Sequence, residues 1–168
     1  MSSPLRVVVT DASVLINLMH VSRLSLLARI PNYEFVVPDH VREEIMIPEQ
    51  RAMLDTAVSA GWLKIEVIDD LGAITVFTDL IAQLGRGEAA CIAIAAQKGW
   101  LIASDEKKRF LREAIARVAV GHVLTTVDVF VLAIKAGLLT IEQADADKGA
   151  LEGRRFKVAF GSYRELVK

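Results

Sequence analysis

The sequence predicts an α/β fold, a three-layer sandwich in which a central, mostly parallel sheet of four to five strands is flanked by helices. Short apolar, β-branched runs alternate along the chain with longer segments whose apolar residues recur at helical spacing. Residues 6–10 (RVVVT) and 100–104 (WLIAS) are apolar almost throughout, as strands are when helices cover both faces of a parallel sheet. Alternating strands and helices of this kind are typical of parallel sheets with right-handed crossovers.

The strands are predicted from short apolar runs, and the edge strands from alternation. Residues 62–68 (WLKIEVI) alternate apolar and charged side chains, which is typical of a half-exposed strand. The predicted strands are residues 6–10, 34–38, 62–68, 100–104 and about 118–124, with a further edge strand at 156–160.

The helices are predicted from apolar spacing and from their end signals. Ser22 is a candidate N-cap, Pro48 begins a helix, Gly99 ends one, and Thr140 with Gln143 has capping-box spacing. The predicted helices are residues 13–19, 22–29, 39–47, 48–61, about 74–84, 88–98, 106–118, 126–136 and 141–148.

Length and composition indicate one domain over residues 1–168, since a domain typically has roughly 100–200 residues. Its core is expected at about 6–137, with a C-terminal helix and the possible edge strand in 138–168. Cys91 is the only cysteine, which excludes an intramolecular disulfide. No apolar run approaches the ~20 residues of a membrane helix, and the first residues lack a signal-peptide pattern. A cytoplasmic location without a membrane partner is therefore expected.

Four acidic residues fall near strand ends. Asp11 follows the first strand and Asp105 follows the strand at 100–104, while Glu44 and Glu88 each lie in the first turns of a helix. Sites in parallel sheets gather at the carboxyl ends of the strands. Each residue also has a structural explanation, because Asp11 and Asp105 could cap helices, Glu88 could complement a helix dipole and Glu44 could be an exposed charge.

Taken together, four clustered carboxylates would raise one another's pKa, and a divalent cation would relieve that repulsion. All-oxygen ligands favour Mg²⁺ or Mn²⁺. Glu43 competes with Glu44 for the site, and Glu44 is preferred because it shares the inward side with Val41 and Ile45.

The stretches VVVTDASVLINL, VVPDHVREEI, GRGEAACIAIAAQKGWLIASDEKKR and GHVLTTVDVFVLAIKAGLL resemble the PIN-domain nuclease family over about residues 6–137. The resemblance implies a catalytic quartet of Asp11, Glu44, Glu88 and Asp105, with Mg²⁺ or Mn²⁺ held by Asp11, Glu88 and Asp105. Asp128 is a further candidate ligand, although the TTVD spacing favours a helix cap.

The resemblance is to small prokaryotic members of the family related to VapC-type toxins. It implies an endoribonuclease with an RNA substrate, an antitoxin protein as a possible partner, and a homodimer.

Candidate substrate-binding residues surround the acids: Ser13, Arg86, Lys107, Lys108 and Arg109. The alternatives remain open, because Ser13 could cap a helix, Arg86 could pair with Glu88, and the cations of 106–117 could form a solvated helix face. For the cations of the tail, residues 148–168, a solvated surface or a contact with an acidic partner is preferred.

Two other functions compete. An acid-site phosphatase usually has a second aspartate two residues after the first, where this chain has Ser13. A non-catalytic PIN-like module that binds nucleic acid or protein is the alternative to an enzyme, and a complete acidic quartet argues against it.

Overall fold

The sheet of this protein has five strands, all parallel, in the order β3-β2-β1-β4-β5. The computed structural model describes residues 4–119 and 121–167. The strands are β1 Arg6–Thr10, β2 Tyr33–Pro38, β3 Lys64–Glu66, β4 Leu101–Ala103 and β5 Val123–Leu124. With helices on both faces, this is the three-layer α/β fold predicted from the sequence, and that prediction is confirmed.

Helices connect the strands. They are α1 Ala12–His20, α2 Asp39–Glu44, α3 Pro48–Ser59, α4 Leu71–Leu80, α5 Arg86–Lys98, α6 Arg109–Arg117, α7 Thr126–Lys135 and α8 Ile141–Glu152, with 3₁₀ helices at Leu24–Ala28 and Tyr163–Glu165. Among residues 4–119 and 121–167, no helix has the length and hydropathy that a membrane crossing needs.

The central strand β1 is hydrogen-bonded on both sides, to β2 and to β4. Val8 and Val9 are fully buried, which explains why this strand is apolar at consecutive positions. The alternating segment at 62–68 forms β3 at the sheet edge, where Lys64 pairs with Glu34 across the ladder at 2.8 Å.

Helix α5 packs across β1, β2 and β4. Half of its buried residues are alanines, which let the helix backbone approach the sheet closely. The helix ends at Gly99, whose φ of 69° is readily adopted only by glycine. This packing fixes the first turn of α5, and with it Glu88, beside the carboxyl end of the sheet.

Three predicted helix boundaries are wrong for backbone reasons. The segment at 22–29 is a 3₁₀ helix that starts at Leu24, because Ser22 has a φ of 56° and does not act as its cap. Helix α2 ends at Glu44, and Ile47 is extended, as is usual for a residue that precedes proline. Helix α6 starts at Arg109 instead of 106 because Lys108 has a φ of 52°.

The edge strand predicted at 156–160 is wrong. The alternation is real, since Phe156 is buried and Lys157 exposed, but the segment packs against helices, which have no free backbone donors to pair with. Tyr163 stacks on Phe130 of α7 with ring centroids 5.6 Å apart, and Phe160 meets Tyr163 edge-on at 5.0 Å. The strand expected at about 118–124 is reduced to β5, and residue 120 lies outside the described residues.

Candidate functional site

The carboxyl ends of β1 and β4 bring Asp11 and Asp105 together. The Asp11 N–H continues the β1–β4 ladder by donating to the Ala103 carbonyl at 2.9 Å. Asp11 and the residues after β4 therefore lie side by side at the carboxyl end of the sheet, as parallel pairing requires.

Asp11 is a buried carboxylate, with 3% of its surface exposed. Its Oδ2 accepts hydrogen bonds from the Ser104 hydroxyl at 3.0 Å and from the Ser13 hydroxyl at 3.3 Å. Although Asp11 occupies the N-cap position of α1, its side chain forms no capping hydrogen bond. The two serines hold the carboxylate in place without supplying a positive charge.

Burial, together with the negative charges of Glu88 and Glu106, raises the pKa of Asp11 from 3.8 to about 6, against the lowering effects of the Ala12 amide and the Ser104 hydroxyl. Burial also raises the pKa of Glu88, and the charges of Glu106 and Glu44 add to this. The thiol pKa of Cys91 is raised by burial and then by Asp11, Glu44 and Glu88. The three acids therefore act on one small region.

Asp105 is anchored by donors from two helices. Its Oδ1 accepts from the Thr126 amide at 2.7 Å, and its Oδ2 accepts from the Thr126 hydroxyl and from Asn17 Nδ2, the latter at 2.8 Å. The Asp105 amide donates to the Ser13 hydroxyl at 3.1 Å, so Ser13 links it to Asp11. Asp105 does not cap α6, whose N-cap is Lys108.

The Glu44 carboxylate is held against the start of α5 by the amide of Gly87. Its Oε1 accepts from the Gly87 amide at 2.7 Å, and a Cβ at position 87 would collide with the Glu44 carboxylate. Glu88, in the first turn of the same helix, accepts from the Gly85 amide at 3.3 Å. The start of α5 thus holds both glutamates.

Asp128 is engaged in the cap that its spacing predicts. Its Oδ2 accepts from the Thr125 amide at 2.8 Å and from the Thr125 hydroxyl at 3.1 Å, in the capping box of α7. Its role as a metal ligand stays a prediction that the capping geometry does not favour.

The predicted substrate-binding cations are divided between two sides of the site. The Arg86 guanidinium lies over the Phe77 ring, 5.7 Å from its centroid, instead of against Glu88. Arg109 donates to the Gln83 carbonyl at 3.2 Å. Lys107 lines a cleft beside Asp105, and Lys108 occupies the turn before α6.

The donor set fits a hard divalent cation, because four carboxylates supply only oxygen ligands. Buried Asp11 and half-buried Glu88 both have raised pKa values, chiefly because burial disfavours their charged forms, with a smaller contribution from neighbouring carboxylates. As placed, however, the described residues contain no group of three His, Cys, Asp or Glu side chains gathered around a common metal position. The catalytic and metal-binding assignments stay predictions.

Three polar residues that hold the acids were not predicted from the sequence. Ser104 carries the shorter hydroxyl bond to Asp11, and Asn17 and Thr126 hold Asp105. Asn17 lies four residues after Ser13 on the same face of an otherwise apolar helix. That isolated amide was the available signal, since a polar residue among apolar neighbours usually has a specific partner.

Carboxylates at the carboxyl ends of parallel strands are suited to metal-assisted phosphodiester chemistry. A family model described as a PIN domain matches residues 7–164, so the chain belongs to the PIN-domain family. PIN domains are generally nucleases and typically use divalent metals, which indicates a nuclease-type function for this chain. A comparison with curated proteins gives no match.

Proposed function

We propose that this protein is an endoribonuclease that depends on Mg²⁺ or Mn²⁺ and hydrolyses phosphodiester bonds in single-stranded or structured RNA. The observation that carries the proposal is Asp11, a buried carboxylate whose pKa is raised to about 6 and which the Ser13 hydroxyl links to Asp105. Burying an acid beside other acids costs free energy unless a cation compensates. The family supports a nuclease-type activity.

In this proposal Asp11, Glu88 and Asp105 hold the cation, and Asp11 is the central ligand. A bound divalent cation lowers the pKa of water and stabilises charge on phosphodiester oxygens. Ser13 and Ser104 fix the Asp11 carboxylate, so little reorganisation is needed when it binds. Glu44, fixed through Gly87, uses its second oxygen to orient the attacking water.

The test compares RNA and DNA of one sequence, labelled at the 5′ end, with Mn²⁺, Mg²⁺ or EDTA. We expect internal cleavage of RNA that requires the metal, with DNA left intact. Asp11→Asn is expected to slow cleavage by at least ~100-fold, as removal of a group central to catalysis does. Asp79→Asn, at an exposed position of α4, is the matched control. Equal cleavage by Asp11→Asn removes the acidic site from the mechanism, and faster cleavage of DNA contradicts the ribonuclease assignment.

We also propose, from the resemblance to small VapC-like proteins, that the chain is the toxin of a toxin–antitoxin pair and forms a homodimer. This step is a fold-level analogy. Expression in bacteria should arrest growth through Asp11, and a protein encoded beside it should restore growth. Light scattering measures the oligomeric state. Unimpaired growth on expression of active protein would contradict the toxin role, and a monomer would contradict the dimer.

A further inference from the structure

A cleft of about 600 Å³ opens beside Asp105. One wall consists of residues that hold or follow the candidate site, including Asn17, Asp105 and Thr125, and the other is formed by the segment 154–158 after α8. The cleft lies past the ends of β4 and β5, whereas Glu44 follows β2 on the other side of β1. It therefore extends the acidic site in one direction only.

The tail cations divide into paired and unpaired groups. Arg164 pairs with Glu142 and Lys148 with Glu152. Within residues 4–119 and 121–167, by contrast, the structure shows no ion pair for Arg154, Arg155 or Lys157, and all three line the cleft. Among the described tail cations, those that face the cleft are thus the ones without carboxylate partners.

The segment that carries these cations is held in place. Phe156 is buried to 9% exposure between Arg155 and Lys157, and the Arg154 amide donates to the Leu151 carbonyl at 2.8 Å. Arg155 has a φ of 69°, a conformation that costs a non-glycine residue about 1–2 kcal/mol. Such strain persists only where the surrounding structure fixes it. The backbone that carries the three cations is therefore fixed in place.

The rest of the lining suits a nucleotide chain. Lys107 adds a fourth cation, and the two carboxylates present are Asp105, whose oxygens already accept three hydrogen bonds, and Glu106. Apolar side chains, among them Ile16 and Val158, line the same cleft and offer surface to sugars and bases. Cations along a groove with apolar surface are the features by which proteins bind single strands.

We propose that this cleft binds the backbone phosphates of single-stranded RNA on one side of the scissile bond, with Arg154, Arg155 and Lys157 as the phosphate contacts. The inference rests on the proposed function, since it places the scissile phosphate at the carboxylates. Arg86, at the start of α5 on the Glu44 side, lies where the strand would continue in the other direction. For Arg154, Arg155 and Lys157, this proposal replaces the solvated surface or acidic partner that the sequence favoured for the tail cations.

The experiment measures binding of a fluorescent 12-nucleotide oligouridylate by anisotropy in EDTA, in the Asp11→Asn background so that no cleavage occurs. The cleft variant is Arg154→Ala/Arg155→Asn/Lys157→Ala, with asparagine at 155 because it tolerates positive φ. The matched control removes three paired cations, Lys64→Ala/Arg117→Ala/Arg164→Ala. Circular dichroism establishes that both variants are folded.

We expect the cleft variant to weaken binding at least about tenfold at 0.1 M salt and to reduce the slope of log K against log salt by about 2, since each phosphate contact on a single strand contributes about 0.7. The control should change either quantity little. Equal affinity and slope for the cleft variant and the control overturn the cleft assignment, and so does absence of RNA binding by the parent protein.

The proposed function is tested separately by hydrolysis of bis(p-nitrophenyl) phosphate by the wild-type protein with Mn²⁺, because this small substrate needs no cleft. Hydrolysis combined with unaffected RNA binding by the cleft variant overturns the cleft alone. Loss of RNA binding by the cleft variant of a protein that hydrolyses nothing supports the cleft and overturns the proposed nuclease.

Discussion

Replacing Asp11 with asparagine should stabilise the metal-free protein at neutral pH while it removes activity. The side chain is 3% exposed, and burial, with the charges of Glu88 and Glu106, raises its pKa from 3.8 to about 6. At pH 7.5 the carboxylate is nevertheless ionised, so the fold carries a buried charge without a cation. Asparagine has nearly the same shape, bears no charge and can still bond to the hydroxyls of Ser13 and Ser104.

The magnitude follows from the pKa shift. The rise from 3.8 to about 6 spans about two units, and each unit is worth about 1.36 kcal/mol, which gives about 3 kcal/mol at pH 7.5. For a chain of this size that corresponds to roughly 6–12 °C in Tm. Because the folded-state pKa of Asp11 is raised, the stability that protonated Asp11 gives the wild-type protein is complete below pH 3.8 and is lost as the pH rises through 6. The asparagine variant does not undergo this loss.

Urea unfolding in EDTA at several pH values measures the difference. Asp11→Asn should exceed the wild type by about 3 kcal/mol at pH 7.5, and the advantage should shrink to a small value near pH 4. Mn²⁺ should raise the Tm of the wild type and leave that of Asp11→Asn nearly unchanged. Asp79→Asn, exposed on α4, controls for the loss of a negative charge. An asparagine variant less stable than the wild type at pH 7.5, or a difference independent of pH, would refute the reasoning.

Two further substitutions test how the other acids are held. Gly87→Ala should lower RNA cleavage roughly tenfold, in keeping with a misplaced catalytic group, because a Cβ there displaces the Glu44 carboxylate. Gly149→Ala is the helical control, since a Cβ at that position meets nothing within 4 Å. Equal cleavage by the two variants would contradict a role for Glu44. Thr126→Val removes one donor to Asp105 but keeps the amide bond, so it should cost about 1–3 kcal/mol in unfolding free energy; an unchanged urea midpoint would show that the hydroxyl bond contributes nothing.

The sequence was sufficient for the five parallel strands and for the placement of the acids after them because both depend on local signals. A buried strand is continuously apolar, and an acid that follows it must lie at the carboxyl end of the sheet, as Asp11 and Asp105 do. The glycine that admits Glu44 was visible in GRGE, but its partner lies 43 positions away, and no local pattern identifies it. The same holds for segment 154–158, which reaches the cleft only because α7 and α8 return the chain there.

Three aspartates at helix starts show why position alone could not distinguish a cap from a functional acid. Asp70 accepts the Ala73 amide at 2.9 Å and Asp128 accepts the Thr125 amide at 2.8 Å, so both stabilise their helices. Asp11 occupies the N-cap position of α1, as Asp70 does in α4, and its side chain forms no capping bond, although a cap typically contributes about 1 kcal/mol. Its carboxylate is instead buried, with its pKa raised to about 6. A residue that gives up a cap and adds an electrostatic cost is retained for a reason other than stability, and the cation proposed for this site supplies that reason.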